Sequence, residues 1–264
     1  MTLLNPEESV AQNIDRLIFK RNGELTNEFD NLYSALFKNS ENYIKVASVL
    51  NSKRSGLTRN EIKEETKLPS GGTLTKILKN MESCGFIRKY KCLSLGKTQT
   101  VYQLVDFFSL FYFRFIQHET GNKANYWSAI QGTQKFHAWA GLAFENVALY
   151  HVDQIKQSLG ISGIASEEYT WRKESDKTEG AQVDLLIDRK DNTINLCEMK
   201  FCESVYELKA DEEMKLRSRI GALRSSLKKK TKSIQLTMIT SFGVSKGKYS
   251  GVVQSQVTLD DLFA

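Results

Sequence analysis

Two short apolar runs interrupted by charge constrain this chain more than any other feature. Gly180-Ala-Gln-Val-Asp184-Leu-Leu-Ile-Asp188 and Thr193-Ile-Asn-Leu-Cys-Glu198-Met-Lys200-Phe201 flank Lys190-Asp191-Asn192 and read as a strand hairpin. Asp184 and Glu198 fall inside the apolar stretches, where a bare carboxylate is costly unless it is paired or bound to a metal. Side chains alternate along a strand, so Glu198 and Lys200 share a face. A three-residue loop at 190–192 then sets Asp184 directly opposite Glu198. Two carboxylates and an ammonium on one patch can hold Mg²⁺ or Mn²⁺, since such ions accept one or two carboxylates and keep several waters. A metal there would polarise a phosphodiester and supply hydroxide, with Lys200 orienting the water or offsetting developing charge. The bland alternative is a salt-bridged, half-exposed hairpin, because Asp-x13-Glu-x-Lys by itself is weakly specific.

The surroundings sharpen the pattern. Residues 138–158 read as one helix, with Trp139, Leu142, Ala143, Val147 and Tyr150 on its apolar side and Glu145 inside it. A β pattern follows near Ile161–Trp171, then the hairpin, a helix over Tyr206–Leu227 and a strand over Ser233–Thr240. The order is helix, three strands, helix, strand, which predicts a central mixed sheet with helices against it.

A different grammar governs residues 41–104. Tyr43, Val46, Ala47 and Leu50 mark one helix face, and Thr58-Arg59-Asn60-Glu61 is a capping-box pattern that opens a second helix. Leu68-Pro69 ends that helix. Ser70-Gly71-Gly72 opens a third, whose apolar face is Leu74, Ile77, Leu78 and Met81. Gly85 stops it, and the runs Phe86–Cys92 and Gln99–Leu104 form a hairpin. Three helices and a hairpin describe a winged helix-turn-helix. With the third helix docked by its apolar face, Thr73, Thr75, Lys76, Lys79 and Asn80 point outward, and Lys89, Lys91 and Lys97 lie on or beside the wing. These are donors suited to phosphates and base edges. The segment holds 12 basic and 5 acidic residues, net +7, which exceeds the +6 of the whole chain. That local excess points to nucleic acid; a winged helix used for protein contacts is the alternative.

The N-terminal residues 1–40 read as helical packing material, interrupted at Arg21-Asn22-Gly23, with Phe29, Leu32, Tyr33, Leu36 and Phe37 on one face. The expected organisation is therefore a helical segment over 1–40, a winged helix over 41–104, a helical connector over 105–137 and an α/β domain over 138–264. With 41% hydrophobic and 26% charged residues among 264, the composition excludes a disordered or fibrous chain. The most apolar stretch, Val105–Ile116, contains Asp106 and Arg114 and is too short to span a bilayer. Neither a signal peptide nor a Cys-x-x-Cys pair is present, so a cytoplasmic setting with reduced cysteines is expected and no membrane partner is. Gly96-Lys97-Thr98 resembles the end of a phosphate-binding loop, but position 91 is Lys91 where that motif needs glycine, so no ATPase site of this type exists here.

On these residues the chain resembles the PD-(D/E)XK nuclease superfamily. The αβββαβ order is similar to its core, and Val183–Ile187 and Cys197–Lys200 resemble its two strand motifs. The resemblance implies Asp184, Glu198 and Lys200 as catalytic residues. It adds Glu145 as a helical acid and the Met199 carbonyl as further metal ligands. Together with the winged helix and the run Asp106–Phe115, the chain also resembles the C-terminal half of a bacterial and archaeal ATPase family whose P-loop domain it lacks. The expected partner of the basic winged helix is DNA or RNA, DNA the more expected, and the expected protein partners are an ATPase module or further copies of the chain. Val183 stands where the superfamily name has proline. The competing function is a non-catalytic nucleic-acid- or protein-binding module with the nuclease fold as scaffold.

Overall fold

The helical stripes and strand runs appear, in the computed structural model, as a mixed α/β protein with ten α-helices and eight strands among the described residues. Those residues are 3–53, 55–69, 71–94, 97–117, 125–172, 182–227 and 231–264. They divide into two compact units, Met1–Lys89 with Val101–Ala138, and Tyr90–Thr100 with Trp139–Ala264.

The first unit opens with α1 (Val10–Ile14) and α2 (Glu28–Leu36), followed by α3 (Ser40–Asn51), the two-residue strand β1 (Leu57–Thr58), α4 (Arg59–Thr66) and α5 (Gly72–Ser83). Thr58 caps α4 as its sequence implies: its hydroxyl accepts from the Glu61 amide, and the Glu61 carboxylate accepts from the Thr58 amide at 2.7 Å. Tyr43, Val46, Ala47 and Leu50 of α3 are buried, as are Leu74, Ile77, Leu78 and Met81 of α5. Gly85 adopts a left-handed φ of 76° just past α5, a conformation that suits glycine. The hairpin β2 (Ile87–Ser94) and β3 (Lys97–Leu104) follows, and β3 pairs antiparallel with β1.

Aromatic rings fill the rest of this unit. Phe29 stacks on Tyr112 at 3.6 Å, Phe37 stacks on Tyr43 at 4.0 Å, and Phe86 meets both Tyr33 and Phe37 edge-on. The buried Tyr33 hydroxyl shares a hydrogen bond of 2.9 Å with Ser109. The short helices α6 (Phe107–Phe111) and α7 (Tyr126–Ile130) complete the unit, and buried Asp15 accepts hydrogen bonds from the Trp127 and Ser128 amides at the start of α7.

In the second unit α8 (Gln134–Tyr150) and α9 (Val152–Ser158) precede β4 (Ser166–Arg172), β5 (Gln182–Arg189) and β6 (Thr193–Lys200), then α10 (Ala210–Ser226), β7 (Ser233–Thr240) and β8 (Ser255–Thr258). The single helix predicted over 138–158 is thus two. The break falls at His151, whose ring nitrogen Nδ1 lies 2.7 Å from the Val147 carbonyl oxygen. The buried positions of α8 are Phe144, Asn146 and Ala148, while Tyr150, predicted on the apolar side, is exposed. The sheet runs β2-β4-β5-β6-β7-β8 in this unit; β4, β5 and β6 are antiparallel neighbours, whereas β2/β4, β6/β7 and β7/β8 are parallel.

Alternation along the strands divides the core into two layers. Leu186, Ile194, Leu196, Leu236 and Met238 pack with Leu216 and Leu223 of α10. Leu185, Ile187, Cys197, Met199 and Ile239 pack with Phe144 and Ala148 of α8 and Ile155 of α9. No described helix is long and apolar enough to cross a membrane.

Candidate functional site

The register of the β5/β6 hairpin fixes the site. Leu185 pairs with Cys197, Leu186 with Leu196, Ile187 with Asn195 and Asp188 with Ile194; continued one position past the last of these pairs, the register aligns Asp184 with Glu198, and Asp184 lies close enough to act on the Glu198 charge. The turn that holds this register includes Asn192 at a left-handed φ of 64°, a conformation asparagine tolerates better than most residues. Glu198 and Lys200 lie on the α10 layer of the sheet, with Lys200 Nζ 3.7 Å from Glu198 Oε1. Asp184 accepts a hydrogen bond of 2.7 Å from Gln182 Nε2.

A residue absent from the sequence motif completes the cluster. Arg219 of α10 donates from Nη1 to Glu198 Oε2, so each carboxylate oxygen faces a cation. Burial pushes the Glu198 carboxyl above its ordinary value and nearby Asp184 adds to the rise, while Arg219 and Lys200 oppose it. A cleft of about 90 Å³ opens here, lined by Glu198, Lys200, Arg219, Tyr206, Glu212 and Met238 among others. Tyr206 donates its hydroxyl to Glu212, and burial followed by that bond raises the phenol above its ordinary value.

Glu145 lies on α8, and Met199 lies between Glu198 and Lys200 on β6. The α8 neighbours of Glu145, Phe144 and Ala148, pack on the layer formed by Leu185, Cys197 and Met199, which alternation sets opposite to Glu198. The Met199 side chain is buried there and its backbone pairs with Ile239 in the β6/β7 ladder. No group of three or more His, Cys, Asp or Glu residues that could hold a metal forms among the described residues. The acids that the structure brings together are Asp184 and Glu198.

The second candidate surface is α5. Thr73, Thr75, Lys76 and Lys79 are exposed on it, and Arg59 of α4 reaches Thr75 Oγ1 at 3.3 Å. Asn80 is committed inward: its amide nitrogen donates to the Tyr43 hydroxyl at 2.9 Å and ties α5 to α3. Lys89 is exposed, whereas Lys91 forms an ion pair of 2.8 Å with Glu167 on β4, and the Lys97 side chain lies outside the described residues. The Lys91 pair accompanies a feature no local pattern signals. The distal half of the hairpin joins the sheet of the second unit, with Cys92 paired to Thr170 and Leu93 to Trp171.

Arg219 was hidden in the sequence because α10 carries many charges. Its signal is positional: it follows Leu216 by three residues and precedes Leu223 by four, so an arginine sits on the buried stripe of an otherwise polar helix. Comparison with protein-family models, with curated proteins and with solved structures finds no match.

Proposed function

We propose that this chain binds DNA through a winged helix centred on α5 and cleaves phosphodiesters at a PD-(D/E)XK-type site built from Asp184, Glu198 and Lys200. The observation that carries the reading is the hairpin register, which sets two carboxylates opposite one another with a lysine two residues further along the same face. The donor chemistry fits a divalent cation. Glu198 lines a small open cleft and Asp184 lies near enough to act on its charge, a pair that suits the demand of Mg²⁺ or Mn²⁺ for a few anionic oxygens and retained water. Asp184 and Glu198 would hold the ion, with Glu145 and the Met199 backbone carbonyl as the further ligands the resemblance implies. When bound, the ion supplies Lewis-acid activation of the phosphodiester and of a water. Lys200, 43% exposed at its side chain, orients that water or offsets charge on the phosphate oxygens. The resemblance to the C-terminal half of an ATPase family makes an ATPase module or further copies of the chain the expected protein partners.

One observation favours a second reading, in which the nuclease-type fold is a binding scaffold: Arg219 already neutralises Glu198 in the manner of a structural ion pair. The deciding experiment is metal binding and cleavage of single-stranded and duplex DNA by the purified chain with Mg²⁺ or Mn²⁺. Asp184→Ala is expected to abolish both, and Lys200→Ala to abolish cleavage while sparing metal binding. Cleavage that persists in Asp184→Ala refutes the site, and a wild-type chain that neither binds metal nor cleaves DNA favours the scaffold.

A further inference from the structure

Arg219 is the side chain that the site's chemistry leaves unexplained. A guanidinium bound to a carboxylate that is to receive a divalent cation is a competitor for it, since two positive charges at contact distance repel in a partly buried cleft. The contact is not a loose surface pair: the side chains of Arg219 and Glu198 are 26% and 14% exposed. The other charged groups nearby have their own commitments. Lys215 lies 3.6 Å from Asp211, and Glu212 accepts from Tyr206. Arg219 is therefore the helix-borne cation assigned to Glu198.

The guanidinium fork fits carboxylate and phosphate oxygens with the same geometry, so exchange between the two needs no new chemistry. The cleft beside Arg219, about 90 Å³, holds several waters at roughly 10–15 Å³ each by the same measure, so the guanidinium has room to shift. Resting on the metal-site reading above, we propose that Arg219 is a partner-switching residue. It holds Glu198 when no cation is bound, and it moves to a nucleic-acid phosphate once Glu198 takes a divalent cation. Arg219 then blocks metal in the absence of substrate and grips substrate in the presence of metal. Metal and nucleic acid bind with positive coupling as a result, and the coupling is reciprocal.

The test is Mn²⁺ binding to the full chain, followed by electron paramagnetic resonance of free Mn²⁺, with and without a nuclease-resistant phosphorothioate DNA duplex. Wild type is expected to bind Mn²⁺ on the order of tenfold more tightly with the duplex present, the middle of the usual range for coupled sites. Arg219→Gln, which keeps the side chain polar and uncharged, is expected to bind Mn²⁺ about tenfold more tightly without DNA and to lose the enhancement by DNA. Arg219→Lys keeps the charge and is expected to stay near wild type without DNA, which separates charge from any loss of folding. If wild type binds Mn²⁺ and Arg219→Gln leaves that affinity and its DNA response unchanged, the switch is overturned and the metal site stands. If neither protein binds Mn²⁺, the metal-site reading falls and takes the switch with it.

Discussion

Replacing Lys76 and Lys79 with alanine tests the nucleic-acid surface most directly. Both lysines are exposed, and three residues apart on α5 they form neighbouring cations on one helix face. The opposite face of the helix is committed to the core through Leu74, Ile77, Leu78 and Met81. Their loss should therefore leave stability within about 0.5 kcal/mol of wild type, as for other surface substitutions away from packed features. Binding should respond strongly. Each phosphate contact contributes about 0.9 to the slope of log affinity against log salt on duplex DNA, so two contacts contribute about 1.8. Over a fourfold rise in salt, those two contacts account for a loss on the order of tenfold, which the double variant no longer suffers. The measurement is fluorescence anisotropy with unrelated duplex sequences at several salt concentrations. Affinity should drop uniformly across sequences and the salt slope should flatten. An unchanged slope in a folded double variant refutes the assignment of α5 to phosphate contact and moves the basic segment to protein partners. Asn80→Ala is the informative contrast: its amide is held by Tyr43, so it should cost about 1 kcal/mol of stability through the lost hydrogen bond rather than alter the salt slope.

Two further outcomes follow from the second unit. The Asp261 carboxylate accepts from the Thr258 amide at 2.6 Å and from its hydroxyl at 2.7 Å, and these bonds, the backbone one first, hold its pKa below the ordinary aspartate value. The unfolded chain therefore takes up this proton first as pH falls, so the contribution is complete above the ordinary value and is lost below it; Asp261→Asn should flatten this part of the acid limb in chemical denaturation measured from pH 6 to pH 2, and an unaltered limb would refute the link. Burial pushes the Cys197 thiol up to about 12 and Cys92 is also buried, whereas Cys84 is exposed; a thiol reagent at neutral pH should label Cys84 first and reach Cys197 only on unfolding, and rapid labelling of Cys197 in folded protein would contradict its packing between β6 and α8.

Local rules made part of this protein legible, and long-range pairing hid the rest. The capping box at Thr58 and Glu61, the apolar face of α5 and the stop at Gly85 are decided within a few residues of the chain, so spacing alone reveals them. The β5/β6 register is equally local, because the turn at 190–192 connects the paired strands directly, and Asp184 faces Glu198 for that reason. The break at His151 is not legible in the sequence, because helical periodicity continues across it while a ring-to-backbone contact competes with the helix. The pairing of Cys92 with Thr170 was invisible for another reason: it joins residues 78 positions apart, and nothing in either run names its partner. That pairing accompanies the ion pair between Lys91 and Glu167, which gives one lysine of the basic segment an acidic partner on β4.

Arg219 illustrates how the chemical motif and its electrostatic setting come from different parts of the chain. Strand alternation gathers Asp184, Glu198 and Lys200 from one hairpin, and no property of that hairpin requires a second cation. The requirement arises from burial. With its side chain 14% exposed and its charge disfavoured by desolvation and by Asp184, Glu198 needs more than Lys200, which is 43% exposed and 3.7 Å away. The helix that covers this layer to bury Leu236 and Met238 delivers the partner, with Arg219 on its inward stripe between Leu216 and Leu223. The fold thus supplies a counter-ion where the acids are most confined. The planar guanidinium suits this role, because its fork matches carboxylate geometry and its charge persists at any pH the folded chain meets.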